Sequence, residues 1–104
     1  MFRGRRRRGP KGRKPKPIRL EFPPIVSAFI PFPKANLTPI HLEPAELEAL
    51  RLVDLEGLSQ EEAGTRMGVS RGTVWRLLQS ARKKVAKALT EGRSLLINHN
   101  LIIT

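Results

Sequence analysis

The sequence predicts a mainly α fold: a three-helix helix-turn-helix domain, with an extended basic N-terminal arm and a short C-terminal β-strand. Three observations predict it. Residues 58–78, LSQEEAGTRMGVSRGTVWRLL, read as a short helix, a glycine turn and a second helix with a basic outer face. Residues 44–56 read as a further helix just before that stretch. Residues 94–104 carry apolar side chains at period two, a strand pattern.

The first element is a tail. Residues 1–17 are Arg, Lys, Gly and Pro with almost nothing apolar, so they bury too little surface to order themselves. Of the 20 Lys plus Arg in the chain, ten fall in residues 1–19, which hold no acid. One reading is a solubilising tail or a ribosomal-type extension. The other is an arm whose Arg3, Arg5, Arg6, Arg7, Arg8, Lys11, Arg13 and Lys14 clamp phosphates or enter a minor groove, as homeodomain arms do. The rest of the chain is nearly neutral but polarised. Residues 43–62 hold seven acids and one base, and residues 71–93 hold seven bases and one acid. A basic pole beside an acidic pole suits an anionic partner approached from one side.

Residues 18–37 form an apolar, proline-punctuated arm. Pro23, Pro24, Pro31 and Pro33 forbid a helix and confine any strand to an edge. Ile18, Leu20 and Phe22 alternate, which gives one apolar face to a short extended piece. The helix at 44–56 opens on Pro44 and ends at Gly57. Its apolar residues exceed one stripe: Leu47, Leu50 and Val53 lie on one side, Leu52 and Leu55 toward another. That excess predicts cover on two sides, by the apolar arm or by a second subunit. The acids of residues 43–62 read as a solvated face.

The helix-turn-helix proper lies in a domain spanning residues 38–93. Ser59 caps its first helix and Glu62 reciprocates three residues later. Ala63 and Gly64 are small enough for two helices to cross closely. Gly68, between Met67 and Val69, supplies a left-handed backbone at the turn. Ser70 caps the next helix, predicted from Arg71 to about Leu89. Its buried stripe is Val74, Leu78, Ala81, Val85 and Ala88.

At about 100° per residue the opposite side carries Gly72, Arg76, Gln79 and Lys83, with Arg71 and Trp75 on the shoulder. Base-reading residues sit near the start of a recognition helix, which selects Arg71, Gly72, Trp75, Arg76 and Gln79. Arg76 suits a guanine and Gln79 an adenine, each through two hydrogen bonds. Trp75 divides between packing against the arm and touching thymine methyls or sugar. Gly72 reads nothing itself and lets the helix sit close to a duplex. Ser59, Gln60, Thr73, Arg82 and Lys83 are the phosphate contacts expected from capped helix starts, hydroxyls and late cations. The run Arg82, Lys83, Lys84, Lys87 divides between a solvated helix end suited to the dipole and contact with phosphate.

The closing residues 94–104 place Leu95, Ile97, Leu101 and Ile103 on one face. An isolated strand is unstable, so this one needs a partner, which the arm around Ile18 and Phe22 offers within a chain or across a dimer.

These residues resemble two groups. Residues 58–85, and GVSRGTVWRLLQSARKKV above all, resemble the promoter-reading helix-turn-helix that ends bacterial sigma factors, region four. More closely, LEALRLVDLEGLSQEEAGTRMGVSRGTVWRLLQSARKKVAKALTEGRSL looks like a family of small predicted DNA-binding proteins, frequent in archaea and bacteria. Members share a basic start, a Phe-Pro-rich arm and a sigma-like helical unit, and the resemblance covers roughly residues 13–96. It implies a tri-helical fold and a transcription-regulator role. It also implies that Arg71, Gly72, Trp75 and Arg76 occupy the base-facing positions. Glycine and tryptophan depart from the polar residues usual there in sigma factors, so promoter specificity does not carry over.

Several function classes are excluded or disfavoured. Without cysteine there is no disulfide, thiolate metal site or cysteine catalysis. His41 and His99 share no ligand spacing, and no cofactor is implied. No paired carboxylates, nucleophile–base set or phosphate loop is visible, which argues against an enzyme. No apolar run reaches the ~20 residues of a membrane span, and the arginine-rich start lacks the apolar stretch of a secretory signal. A soluble cytoplasmic protein is expected. The leading expectation is a transcriptional regulator that binds double-stranded DNA as a homodimer. The alternatives are an RNA- or ribosome-associated basic protein and a sigma-like adaptor that contacts RNA polymerase.

Overall fold

The computed structural model describes residues 18–21, 27–33 and 38–97. The basic tail at 1–17 and the end of the closing segment at 98–104, with Leu101 and Ile103, lie outside the described residues. Three helices and three short strands make up the described chain. In order they are β1 (Ala28–Phe29), β2 (Ile40–Leu42), α1 (Pro44–Leu50), α2 (Gln60–Met67), α3 (Arg71–Glu91) and β3 (Leu95–Ile97). α1 runs on through one π-helical stretch, Arg51–Leu55.

Local chemistry accounts for each helix end. Glu43 caps α1 in a reciprocal box with Glu46, and Pro44 occupies the first turn, where a missing N–H costs nothing. Ser59 and Glu62 form the same box at α2. α2 stops at Gly68, whose φ of 71° is left-handed backbone that glycine adopts without strain. Ser70 then caps α3 by accepting the Thr73 N–H at 3.1 Å. α3 continues two residues past the expected Leu89 and closes at Gly92.

α1 is the central element. On one side Ala49 and Leu52 join Ala63, Met67 and Val74 in a core shared with α2 and α3, onto which Ile18, Val53, Leu58, Val69 and Leu77 pack. On the other side Leu47 and Leu50 pack against Leu42, Ala81, Ile97 and Leu95, between α3 and the sheet. The two-sided apolar character of this helix therefore needs no second subunit. It is covered within the chain, by the other two helices and by the sheet. Leu55, expected on the second stripe, is 79% exposed.

β3 is the middle strand. It pairs antiparallel with β1, Ala28 opposite Leu96, and parallel with β2, His41 opposite Leu96. The expected strand near the C-terminus exists, but its partners differ from the expected ones. Ile18–Glu21 pair with no strand. Ile18 packs on the helical core, the Arg19 N–H donates to the Met67 carbonyl at 3.0 Å, and the Glu21 N–H donates to Glu48 Oε2 at 2.9 Å. Alternation defines an apolar face without naming what that face meets. Here Ile18 meets helices, and Phe22 lies outside the described residues. Among the described residues, no helix is long and apolar enough to cross a membrane.

Candidate nucleic-acid interface

The candidate interface starts at a close crossing. Gly64 on α2 lies so near the α2–α3 turn that a Cβ on it would stand 2.7 Å from the Val69 carbonyl oxygen and 3.5 Å from Val74 Cγ2. That contact sets how α3 leaves the turn. Arg19 braces the turn from outside: its Nη2 donates to the Thr65 carbonyl at 2.6 Å, and its Nε lies 3.2 Å from where a Gly68 Cβ would be. Arg19 thus lies against the turn that leads into α3.

α3 buries Val74, Leu78, Ala81 and Ala88 and turns the opposite face outward. The five residues proposed from sequence to read bases, Arg71, Gly72, Trp75, Arg76 and Gln79, are all exposed. Trp75 is 52% exposed. Arg76 Nη2 donates to Thr73 Oγ1 at 3.4 Å, and the Thr73 and Ser70 hydroxyls lie 3.0 Å apart. Gly72 faces open space, with nothing nearer than 3.9 Å to a Cβ built there.

The five expected phosphate contacts divide. Ser59 Oγ accepts the Glu62 N–H at 3.0 Å, so its hydroxyl already has a structural duty. Gln60 opens α2 partly buried, and Thr73 is partly buried beside Arg76. Arg82 is held in a two-pronged pair with Asp54, at 3.0 and 2.7 Å. Lys83 is exposed and has no ion-pair partner among the described residues. The Arg82 hydrogen bonds hold the Asp54 carboxyl below its usual range, and the same pair raises the Arg82 guanidinium.

The acids form the solvated face expected from sequence only in part: Asp54, Glu56, Glu61 and Glu62 are exposed, whereas Glu46 and Glu48 are not. Glu46 and Glu48 are 5% and 2% exposed. Burial on its own would raise the Glu46 carboxyl. Hydrogen bonds from Lys84, from Ser80 and from the Glu43 N–H, with the Lys84 charge, outweigh it and hold that carboxyl below its usual value. Glu48 receives Arg51 Nε at 3.0 Å, and Arg51 also pairs with Glu21 and Glu56. Buried carboxylates need such partners.

The consequence is electrostatic. Acids of α1 and its π-helical extension are matched by Arg51, Arg82 and Lys84. Arg71, Arg76, Lys83 and Lys87 have no carboxylate partner among the described residues, and all four are exposed. A field of one sign therefore runs along the outer face of α3. Two further residues near this face, His41 and Arg93, are absent from the sequence-derived set, and Lys87 enters it only through the late basic run. They line an open cleft of about 350 Å3 beside α3, together with Ser80, Lys83 and Lys84. His41 and Arg93 gave no signal because β2 and the residue after α3 are brought there only by the sheet.

Comparison with known proteins gives a family. The family described as "Protein of unknown function DUF134" matches residues 1–102. A UPF0251 protein of Pyrococcus furiosus is 57% identical over 90 residues, covering 84% of this chain and 83% of its own. One from Archaeoglobus fulgidus is 50% identical over 97 residues, covering 93% and 91%. One from Methanosarcina acetivorans is 47% identical over 87 residues, covering 82% and 78%. No solved structure matches.

Proposed function

The chain belongs to the DUF134 family, and we propose that it is a sequence-specific double-stranded DNA-binding protein that regulates transcription. In this reading α2, the glycine turn and α3 form a helix-turn-helix of the sigma region-four type, and α3 lies in the major groove. One observation carries it: Arg71, Gly72, Trp75, Arg76 and Gln79 share an exposed face at the start of a capped helix. No carboxylate pairs with the two arginines, although most acids nearby are matched.

A guanidinium at Arg76 and an amide at Gln79 supply the forked donors and acceptors that base edges require. Thr73 and Lys83 flank them with a hydroxyl and an ammonium for phosphates. A single recognition helix reads few base pairs, so the protein acts as a homodimer on two half-sites about one helical turn apart. The edge strand β1, with Phe29 and Ile30 exposed, supports that pairing.

Gly72 provides the test. It sits in the first turn of α3 with free space around it, so Gly72→Ala is expected to stabilise the fold by up to about 1 kcal/mol, because alanine loses less backbone entropy in a helix. The same methyl stands where the duplex must approach. Duplex affinity is expected to fall several-fold, about 1 kcal/mol being a factor of roughly five. Thermal melting and fluorescence anisotropy read the two quantities. A variant that melts higher and binds duplex as well as the parent would contradict a close approach at this face.

A further inference from the structure

The cleft beside α3 lies at the far end of the same face. β2 is an edge strand of the sheet, and α3 passes in front of it. His41 comes from the strand, Ser80, Lys83, Lys84 and Lys87 from the helix, and Arg93 from the segment that returns to β3. Two of these cations are matched. Lys84 Nζ lies 2.8 Å from Glu46 Oε1, and Arg93 Nη1 lies 3.0 Å from Glu91 Oε1. Arg93 is further fixed by its Nε, which donates to the Thr38 carbonyl at 2.8 Å. Lys83 and Lys87 have no carboxylate partner among the described residues. The cleft therefore holds two uncompensated positive charges beside a partly buried Arg93 that the Thr38 carbonyl fixes. Such a lining suits an oxyanion with several acceptor oxygens.

Position along the helix identifies which oxyanion. Lys83 and Lys87 follow Arg76 by seven and eleven residues. At 100° per residue both point within about 20° of the Arg76 direction, about 10 and about 16 Å farther along the axis. The major groove is about 12 Å wide. When Arg76 reaches a base edge, these lysines stand at the wall of the groove, where phosphates run.

The geometry points to this cleft as the seat of a backbone phosphate of the duplex that α3 reads, held by Lys83 and Lys87 against the wall formed by Arg93 and His41. This assignment rests on the reading of α3 as a major-groove helix. It adds to that reading a clamp supplied from the sheet side, which fixes the tilt of α3 along the groove.

The test compares the parent protein with Lys87→Ala, Lys87→Glu and the double variant Lys83→Ala, Lys87→Ala. Each is first melted to verify the fold, which exposed, unpaired lysines do not support. Anisotropy on the duplex selected by the parent, from about 50 to about 200 mM salt, gives the slope of log K against log salt. Each lost phosphate contact removes about 0.9 from that slope. The double variant is expected to lose about one unit of slope while preferring the same sequence. A parent that selects a sequence beside a double variant with an unchanged slope would overturn the clamp and leave the base-reading face standing. The opposite failure is distinguishable: a parent that selects no sequence, with variants that still lose slope on an unselected duplex, keeps the phosphate contact at the cleft and removes base reading. Inorganic phosphate and pyrophosphate, titrated onto the DNA-free protein and followed by the His41 ring resonances, separate a free ligand from a phosphodiester. Tight saturation by either anion that leaves duplex binding intact would assign the cleft to a small phosphate compound and overturn the clamp.

Discussion

Deleting residues 1–17 is expected to weaken binding to every duplex alike and to flatten its salt dependence. The segment carries nine bases and no acid, and the chain enters the fold beside the start of α3, where Arg19 is fixed on Met67 and Thr65. Six to ten phosphate contacts make affinity fall by about 10³–10⁵ between 50 and 200 mM salt, with a slope of about −0.9 per contact. The truncated chain is expected to lose several units of slope and to keep its preferred sequence, because backbone phosphates carry no base identity. The melting temperature should hardly change, since the helical core begins with Ile18. Anisotropy across a salt series measures both quantities. Truncation that abolishes sequence preference, or that transfers the binding to RNA, would move the function from α3 to the tail.

The second large effect is structural. Gly64→Ala places a methyl 2.7 Å from the Val69 carbonyl oxygen, a backbone atom that a rotamer change cannot move. α2 and α3 must separate or the turn must shift, and overpacking of this kind costs about 1–3 kcal/mol. For a domain of this size each kcal/mol is about 4–8 °C in melting temperature. Since the same contact sets the exit of α3, duplex affinity should fall along with stability. Gly72→Ala is the opposite case, with stability and affinity moving in opposite directions. Measured side by side, the two glycines separate a packing role from a close-approach role.

How far the chain can be read before folding depends on the range of the forces involved. α2, the turn and α3 were legible because their signals are local. Ser59 and Glu62, and Ser70 and Thr73, bond across three residues, and Gly68 is required by its own φ. The outer face of α3 was legible because Val74, Leu78, Ala81 and Ala88 fix the buried one. Partnerships across the chain were not legible. β2 and β3 are 55 residues apart in register, and alternation around Ile18 could not show that its apolar face meets helices. Glu46 looked solvent-facing because Ser80 and Lys84, which make its burial tolerable, lie 34 and 38 residues away. The π-helical stretch Arg51–Leu55 likewise left no mark in the sequence.

Base reading by the start of α3 can be decided by one selection experiment. Selection of duplexes from a random pool at near-physiological salt, run on the parent and on Arg76→Ala, tests it most directly. The parent is expected to enrich one motif. The variant should lose preference at a single position of it, at a cost of about 1–3 kcal/mol there, with the remaining positions unchanged. A parent that enriches nothing, or an Arg76→Ala variant that enriches the same motif with the same strength at every position, would contradict it.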